Sequence, residues 1–145
     1  MILTLDSEKG PQLSIAGGHY RILISGDDTG GAYAVIEMQV PPGGGPLPHA
    51  HPDMQEMFYV AEGEITFKTV GRKFQASKGA FINIPFGGDI HAFKNTSEQP
   101  AKLVCTVIPA GLEKMFKEVS EATPAEARAI SERYGSKVYP ADFLD

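Results

Sequence analysis

The chain has 145 residues, 42% of them hydrophobic, with a formal net charge of -5 and a pI near 5.3. That length supports one domain with a real core, and the acidity argues against nucleic acid or an anionic membrane as the main partner. No apolar run reaches the roughly 18 residues that span a bilayer, MILTLDSEKG has no signal-peptide pattern, and the lone Cys105 cannot form an internal disulfide, so a cytoplasmic protein is expected.

Sixteen glycines, eleven prolines and no tryptophan predict a turn-rich, β-rich chain. Short runs of β-branched and aromatic residues, broken by Gly, Pro and Asp, predict strands near 12–15, 19–25, 32–40, 56–61, 64–70, 72–76, 80–84, 91–95 and 101–108. In the third run Ala34, Ile36, Met38 and Val40 alternate with Tyr33, Val35, Glu37 and Gln39, the pattern of a half-buried strand. Glu62-Gly63 and Val70-Gly71 read as tight hairpin turns. Many short strands at this spacing indicate an antiparallel sandwich or barrel.

Composition shifts after Pro109. Leu112, Met115, Phe116 and Val119 follow the i, i+3, i+4, i+7 period of an amphipathic helix. Thr123-Pro124-Ala125-Glu126 reads as the start of a second helix, with Thr as N-cap and Pro at the first helical position. That helix is expected to run to about Tyr134 and stop at Gly135. The last ten residues show no period.

Chemistry concentrates in PHAHPDMQE. Of four histidines, His49 and His51 sit one residue apart, with Glu56 five residues beyond and His91 forty residues downstream of His51. On an extended segment, residues i and i+2 share a face, so His49 and His51 can enter one space. Neutral imidazoles and a carboxylate converging on one point are the donor set of a metal site. His19 has no such partner in sequence and reads as structural. Cys105, between Leu103 and Val107, reads as a buried inert thiol.

The spacing is specific. Gly43, His49, His51, Glu56 and Gly63 stand at fixed offsets, followed after fifteen residues by Gly79, Pro85, Gly87, His91 and Asn95. This closely resembles the two motifs of the cupin superfamily. The first matches at every fixed position; the second is one residue long between Gly87 and His91. The resemblance implies an all-β fold with short C-terminal helices: a double-stranded β-helix, or jelly-roll barrel. The barrel core would cover about 19–108, with a helical extension at about 111–135, in one domain over 1–145. It implies one divalent transition metal held by His49, His51, Glu56 and His91. Ligand type admits Fe, Mn, Ni, Co, Cu or Zn.

The resemblance further suggests a metal-dependent enzyme acting on a small molecule, a dioxygenase-type oxidoreductase with Glu56 as proton acceptor as well as ligand. Alternatives are a metal-dependent isomerase or lyase, or a non-catalytic module that stores a small ligand. Phe58, Phe67, Phe81 and Phe93 are expected to wall the pocket. Gln39 and Glu37 lie either on a polar strip inside it or on the outer face. Oxalate-degrading members carry an arginine ahead of the HxH pair, where Gly45-Pro46-Leu47-Pro48 stands here. The helical tail is not basic, against a DNA-binding regulator. A homodimer is expected, because the apolar stripe of the first helix needs cover from the barrel or from a partner.

Overall fold

The structure is a computed structural model describing residues 1–145. Its elements in chain order are β1 (Gln12–Ile15), β2 (Gly18–Ile24), α1 (Gly26–Thr29), β3 (Ala34–Val40), β4 (His49–Ala50), β5 (Gln55–Glu62) and β6 (Glu64–Thr69). There follow β7 (Arg72–Ser77), β8 (Phe81–Ile84), β9 (His91–Lys94), β10 (Ala101–Ile108), α2 (Leu112–Ser120), α3 (Pro124–Arg133) and β11 (Lys137–Val138). All nine strands expected from sequence are present, with ends within two residues of expectation. The two-residue strands β4 and β11 and the one-turn α1 are too short to produce a periodic signal.

The strands form two antiparallel sheets, one in the order β1-β2-β3-β10-β5-β8 and the other β11-β4-β9-β6-β7. They are the two faces of a double-stranded β-helix, and the core lies between them. Strand β10 is the hub of the larger sheet. Cys105 pairs with Ile36 on one side and Phe58 on the other, and Leu103 pairs with Met38 and Val60. All six side chains are buried. The period-2 alternation read in β3 is the alternation seen: Ala34, Ile36, Met38 and Val40 face in, while Glu37 and Gln39 face out.

The Val70-Gly71 turn is a hairpin, closing β6 onto β7 with Thr69 opposite Arg72. Glu62-Gly63 is not, because β5 and β6 belong to different sheets. Gly63, at φ 72°, passes the chain from one sheet to the other so closely that a Cβ there would meet the Pro100 carbonyl oxygen at 2.7 Å. A side chain would block the corner as well as strain it.

Aromatic rings fill one part of the interior. Phe67 lies 5.5 Å from Phe58, 5.6 Å from Phe93 and 5.6 Å from Phe74, stacked on the last. This cluster joins the two sheets, since Phe58 comes from the larger and the other three from the smaller.

The C-terminal helices lie where the sequence placed them. On α2, Leu112 and Met115 are buried, and Phe116 and Val119 pack against the core, Phe116 edge-on to Tyr20 at 5.2 Å. The barrel itself therefore covers the apolar stripe, and the stripe calls for no second subunit. Buried Glu113 accepts from the backbone N–H of Gly26 and Gly111, both at 2.6 Å, and so joins α1 to the start of α2. Thr123 caps α3 by accepting from the Glu126 N–H, and Tyr134 is its C-cap. The tail then returns as β11, which pairs with β4.

Phe67 belongs to the interior and not to a pocket wall. Phe67→Ala is therefore expected to cost about 3–5 kcal/mol of stability in urea unfolding while leaving metal stoichiometry unchanged. An unfolding midpoint equal to wild type would contradict this placement.

Candidate metal centre

His49 lies on β4 directly opposite His91 on β9. His51 follows two residues after His49 and points the same way, as extended backbone requires. Glu56 is the second residue of β5, flanked in the sheet by Ile84 and Val107. The ligating atoms of all four side chains lie within 4.8 Å of one another. His51, Glu56 and His91 are buried and His49 is partly so. The Glu56 Oε1 lies 3.1 Å from His91 Nε2 and 4.0 Å from His51 Nε2.

Each imidazole is tethered through its outer nitrogen. His49 Nδ1 donates to the Leu47 carbonyl and His91 Nδ1 to the Asp89 carbonyl, both at 2.8 Å. His51 Nδ1 lies 2.7 Å from Ser136 Oγ. Fixing the proton on Nδ1 leaves Nε2 to face the centre, which is how proteins orient imidazole ligands. Glu56 is tethered too: its Oε2 accepts from the Cys105 thiol at 3.4 Å.

Electrostatics follow from this crowding. Burial, reinforced by His91 and His51, lowers His49 from its ordinary 6.5 to about 3. Burial also lowers His51. For Glu56, burial pushes upward, but the hydrogen bond from His91 and the nearby imidazoles outweigh it and hold the carboxyl at about 2. His91 is depressed by burial but raised on balance by its bond to Glu56. Cys105 is pushed well above the ordinary thiol value by burial and then by the Glu56 charge, so it stays an S–H donor. Three nitrogens and one ionised oxygen, all preoriented, fit a divalent transition metal by donor type and by burial.

Two turns bring these segments together. The extra residue of the second motif sits in a two-glycine turn, Gly87 at φ 115° and Gly88 at φ 78°. A Cβ on Gly88 would meet Pro52, beside the HxH pair, at 3.0 Å. The insertion thus presses the His91 loop against the other ligand segment. At Gly45, φ 146°, a Cβ would lie 2.0 Å from the Phe93 carbonyl oxygen. The glycine run is where the ligand segment crosses β9. Asn95 is a fully buried brace there, donating to the carbonyls of Val40 and Gln99.

His49, His51 and Glu56 form the floor of a cavity of about 470 Å³, while His91, 1% exposed, does not reach it. Its wall is largely apolar: Tyr20, Met38, Phe58 and Phe93 from the barrel, Met115 and Phe116 from α2. Two of the expected pocket residues, Phe58 and Phe93, line it. Phe67 does not; it is one ring further into the core. Phe81 does not either, being 61% exposed on the edge strand β8. Gln39 points to solvent on the outer face of β3, since its neighbour Met38 has the inward parity. Sequence reasoning missed the contribution of the C-terminal segment, where Met115, Phe116, Arg128 and Ser136 reach the cavity. The amphipathic period of α2 signalled that its stripe would be covered, but not that it would roof a pocket. No periodicity signalled Ser136.

Residues 36–107 match the family described as "Cupin domain", and the chain belongs to the cupin superfamily. Among curated proteins it resembles the quercetin 2,3-dioxygenase of Bacillus subtilis (strain 168), with 27% identity over 117 residues, 81% of this chain. The chain spans about a third of that relative's length, 34%. Among solved structures, KdgF from Halomonas sp. superposes with a TM-score of 0.68 at 15% identity, covering 79% of this chain and 99% of that one. The polyketide cyclase RemF from Streptomyces resistomycificus gives 0.64 at 21% identity over 88% and 98% of the two chains. A predicted oxalate decarboxylase from Thermotoga maritima gives 0.64 at 22% over 74% and 99%. At these identities the structures attest the shared double-stranded β-helix.

The pKa directions set the acid behaviour of the metal-free protein. An unfolded His49 takes up its proton near 6.5 but a folded one only near 3, so its contribution is whole above pH 6.5 and is lost as pH falls toward 3. His51 has the same sign. Glu56 repeats it between 4.5 and about 2. His91 has the opposite sign: its bond to Glu56 favours folding below 6.5, and that contribution fades as pH rises through its raised value. Below 6.5 the His91 contribution is constant, so His49 and His51 set the slope, and the melting temperature of the chelator-treated protein should fall by about 5–10 °C between pH 6.5 and 4, on the order of 2 kcal/mol for a chain of this size. A melting temperature flat over that range would contradict the burial of His49 and His51 as neutral groups.

Proposed function

We propose that this protein is a metal-dependent enzyme acting on a small molecule, a dioxygenase-type oxidoreductase. One divalent transition metal would be held by His49, His51, Glu56 and His91. The observation that carries this reading is the convergence of three imidazoles and one buried carboxylate beside an apolar cavity that His49, His51 and Glu56 line. When bound, the metal supplies Lewis acidity or a redox centre for oxygen chemistry.

The chain's own residues do the rest. Glu56 is held ionised by its neighbours and can take a proton from a substrate hydroxyl. Met38, Phe58, Phe93 and Phe116 exclude water and offer a surface suited to a ring. The cavity volume suits one such molecule. The kinship to a protein named quercetin 2,3-dioxygenase supports phenolic or enolic substrates. We place the protein in the cytoplasm, in keeping with its single buried, unpaired cysteine.

The decisive test is oxygen uptake by the Fe(II)-loaded protein with phenolic and enolic compounds. The proposal predicts consumption of one O₂ per substrate. It further predicts loss of stoichiometric metal in His51→Ala and a fall in turnover of about 10²–10⁴-fold in Glu56→Gln. Turnover that proceeds under strict anaerobiosis would replace the oxidative reading with isomerase or lyase chemistry. Tight ligand binding without turnover would make the protein a storage module.

We also propose a homodimer. With the α2 stripe covered internally, the support for pairing lies at the edge strand β8. There Phe81 and its sheet partner Tyr59 stand 61% and 47% exposed, and an unpaired edge favours association. Light scattering should give twice 15.6 kDa; a monomer at working concentration would refute this.

A further inference from the structure

We propose that Ser136 is a positioning residue for His51. Through it, the closing segment of the chain sets the tautomer of one ligand of the centre. The inference rests on the metal reading above, and its tautomer comparison is measured without metal.

Ser136 is placed between a candidate ligand and the roof of the cavity. Ser136 is 4% exposed and follows α3 by way of the Gly135 turn. Its hydroxyl oxygen lies 2.7 Å from His51 Nδ1 and 3.6 Å from Met115 Sδ on α2. A thioether has no proton to give, so the Met115 contact can only accept from the hydroxyl. The arrangement that satisfies both contacts and leaves Nε2 free to ligate has the hydroxyl proton on Met115 Sδ and the oxygen accepting from His51 Nδ1–H. That assignment leaves His51 Nε2 unprotonated and facing Glu56, 4.0 Å away.

His49 and His91 have the proton on Nδ1 fixed by backbone carbonyls of their own segments, Leu47 and Asp89, two residues away in each case, and in the metal-free protein His91 Nε2 also donates to Glu56. Neither carbonyl can be removed by a side-chain change. His51 alone depends on a side chain, and that side chain is 85 positions distant in sequence. Ser136 is held in place by two further ties. Its N–H donates to the Ser131 carbonyl at 3.0 Å, and β11 immediately after it pairs Lys137 with Ala50 and Val138 with His49. The ligand strand β4 thus lies between β9 and the tail strand β11. The helices that roof the cavity and the ligand that faces its floor share one hydrogen-bonded chain, Met115–Ser136–His51. Outer partners of this kind govern metal affinity by about 10–100-fold.

The test uses the full-length metal-free protein with ¹⁵N-labelled histidine. Long-range ¹H–¹⁵N correlation spectra at neutral pH report which ring nitrogen carries the proton. The wild type is expected to show His51 as the Nδ1–H tautomer. In Ser136→Ala, the His51 ring should move to a mixed or Nε2–H state, while His49 keeps its wild-type pattern. A loss of general packing would not produce a change confined to one ring. Zn(II) alone, titrated against a competing chelator, should bind Ser136→Ala about 10–100-fold more weakly than wild type. Ser136→Thr, which retains the hydroxyl, should recover most of both properties. It also keeps the test open if the alanine variant folds poorly. An unchanged His51 tautomer in Ser136→Ala overturns the proposal, as does zinc affinity within twofold of wild type. If wild-type protein itself binds no zinc, the metal reading fails, and the tautomer comparison still decides the role of Ser136.

Discussion

A buried carboxylate is the constraint around which this protein is arranged. Glu56 is 2% exposed, and an ionised group at that depth is tolerated only where charge and hydrogen bonds surround it. Three imidazoles supply that environment on the side of Oε1, and the Cys105 thiol supplies it on the side of Oε2. The partners come from three strands and the segment after one of them, in both sheets. Only a barrel closed in the observed register brings them together. The site is thus a consequence of the fold as much as its purpose.

The rest of the molecule protects that arrangement. The aromatic cluster of Phe58, Phe67, Phe74 and Phe93 fixes the spacing of the two sheets just beyond the ligands. Asn95 and Gly45 lock the crossing of the ligand segment over β9. The C-terminal helices add what the barrel lacks, a roof and the outer partner of His51. Without α2 the apolar wall would lose Met115 and Phe116. Likeness of fold to proteins named for different reactions fits the general rule that a fold does not fix its chemistry.

What the sequence disclosed depended on how local each signal was. The convergence of His49, His51, Glu56 and His91 was legible because motif spacing and strand parity are properties of consecutive residues, as with His49 and His51. The helices were legible for the same reason: a stripe at Leu112, Met115, Phe116 and Val119, and a Thr-Pro start at α3. Gln39 was ambiguous because alternation says that two faces differ but not which one encloses a pocket; only the inward course of Met38 decides it. Phe67 and Phe93 have the same residue type and similar burial, and their different depths relative to the cavity follow from sheet pairing over long separations. Cys105 looked inert because its contact to Glu56 crosses between neighbouring strands. Ser136 was invisible, since a serine in an aperiodic tail acquires its role only through a bond spanning 85 residues.

The most direct measurement is a crystal structure of the metal-loaded protein with diffraction recorded on both sides of the metal's absorption edge. The central claim predicts one anomalous peak per chain, about 2.0–2.3 Å from Nε2 of His49, His51 and His91 and bonded to a Glu56 oxygen. A peak elsewhere on the molecule, or four side chains that remain hydrogen-bonded to one another with no peak among them after loading, would contradict it.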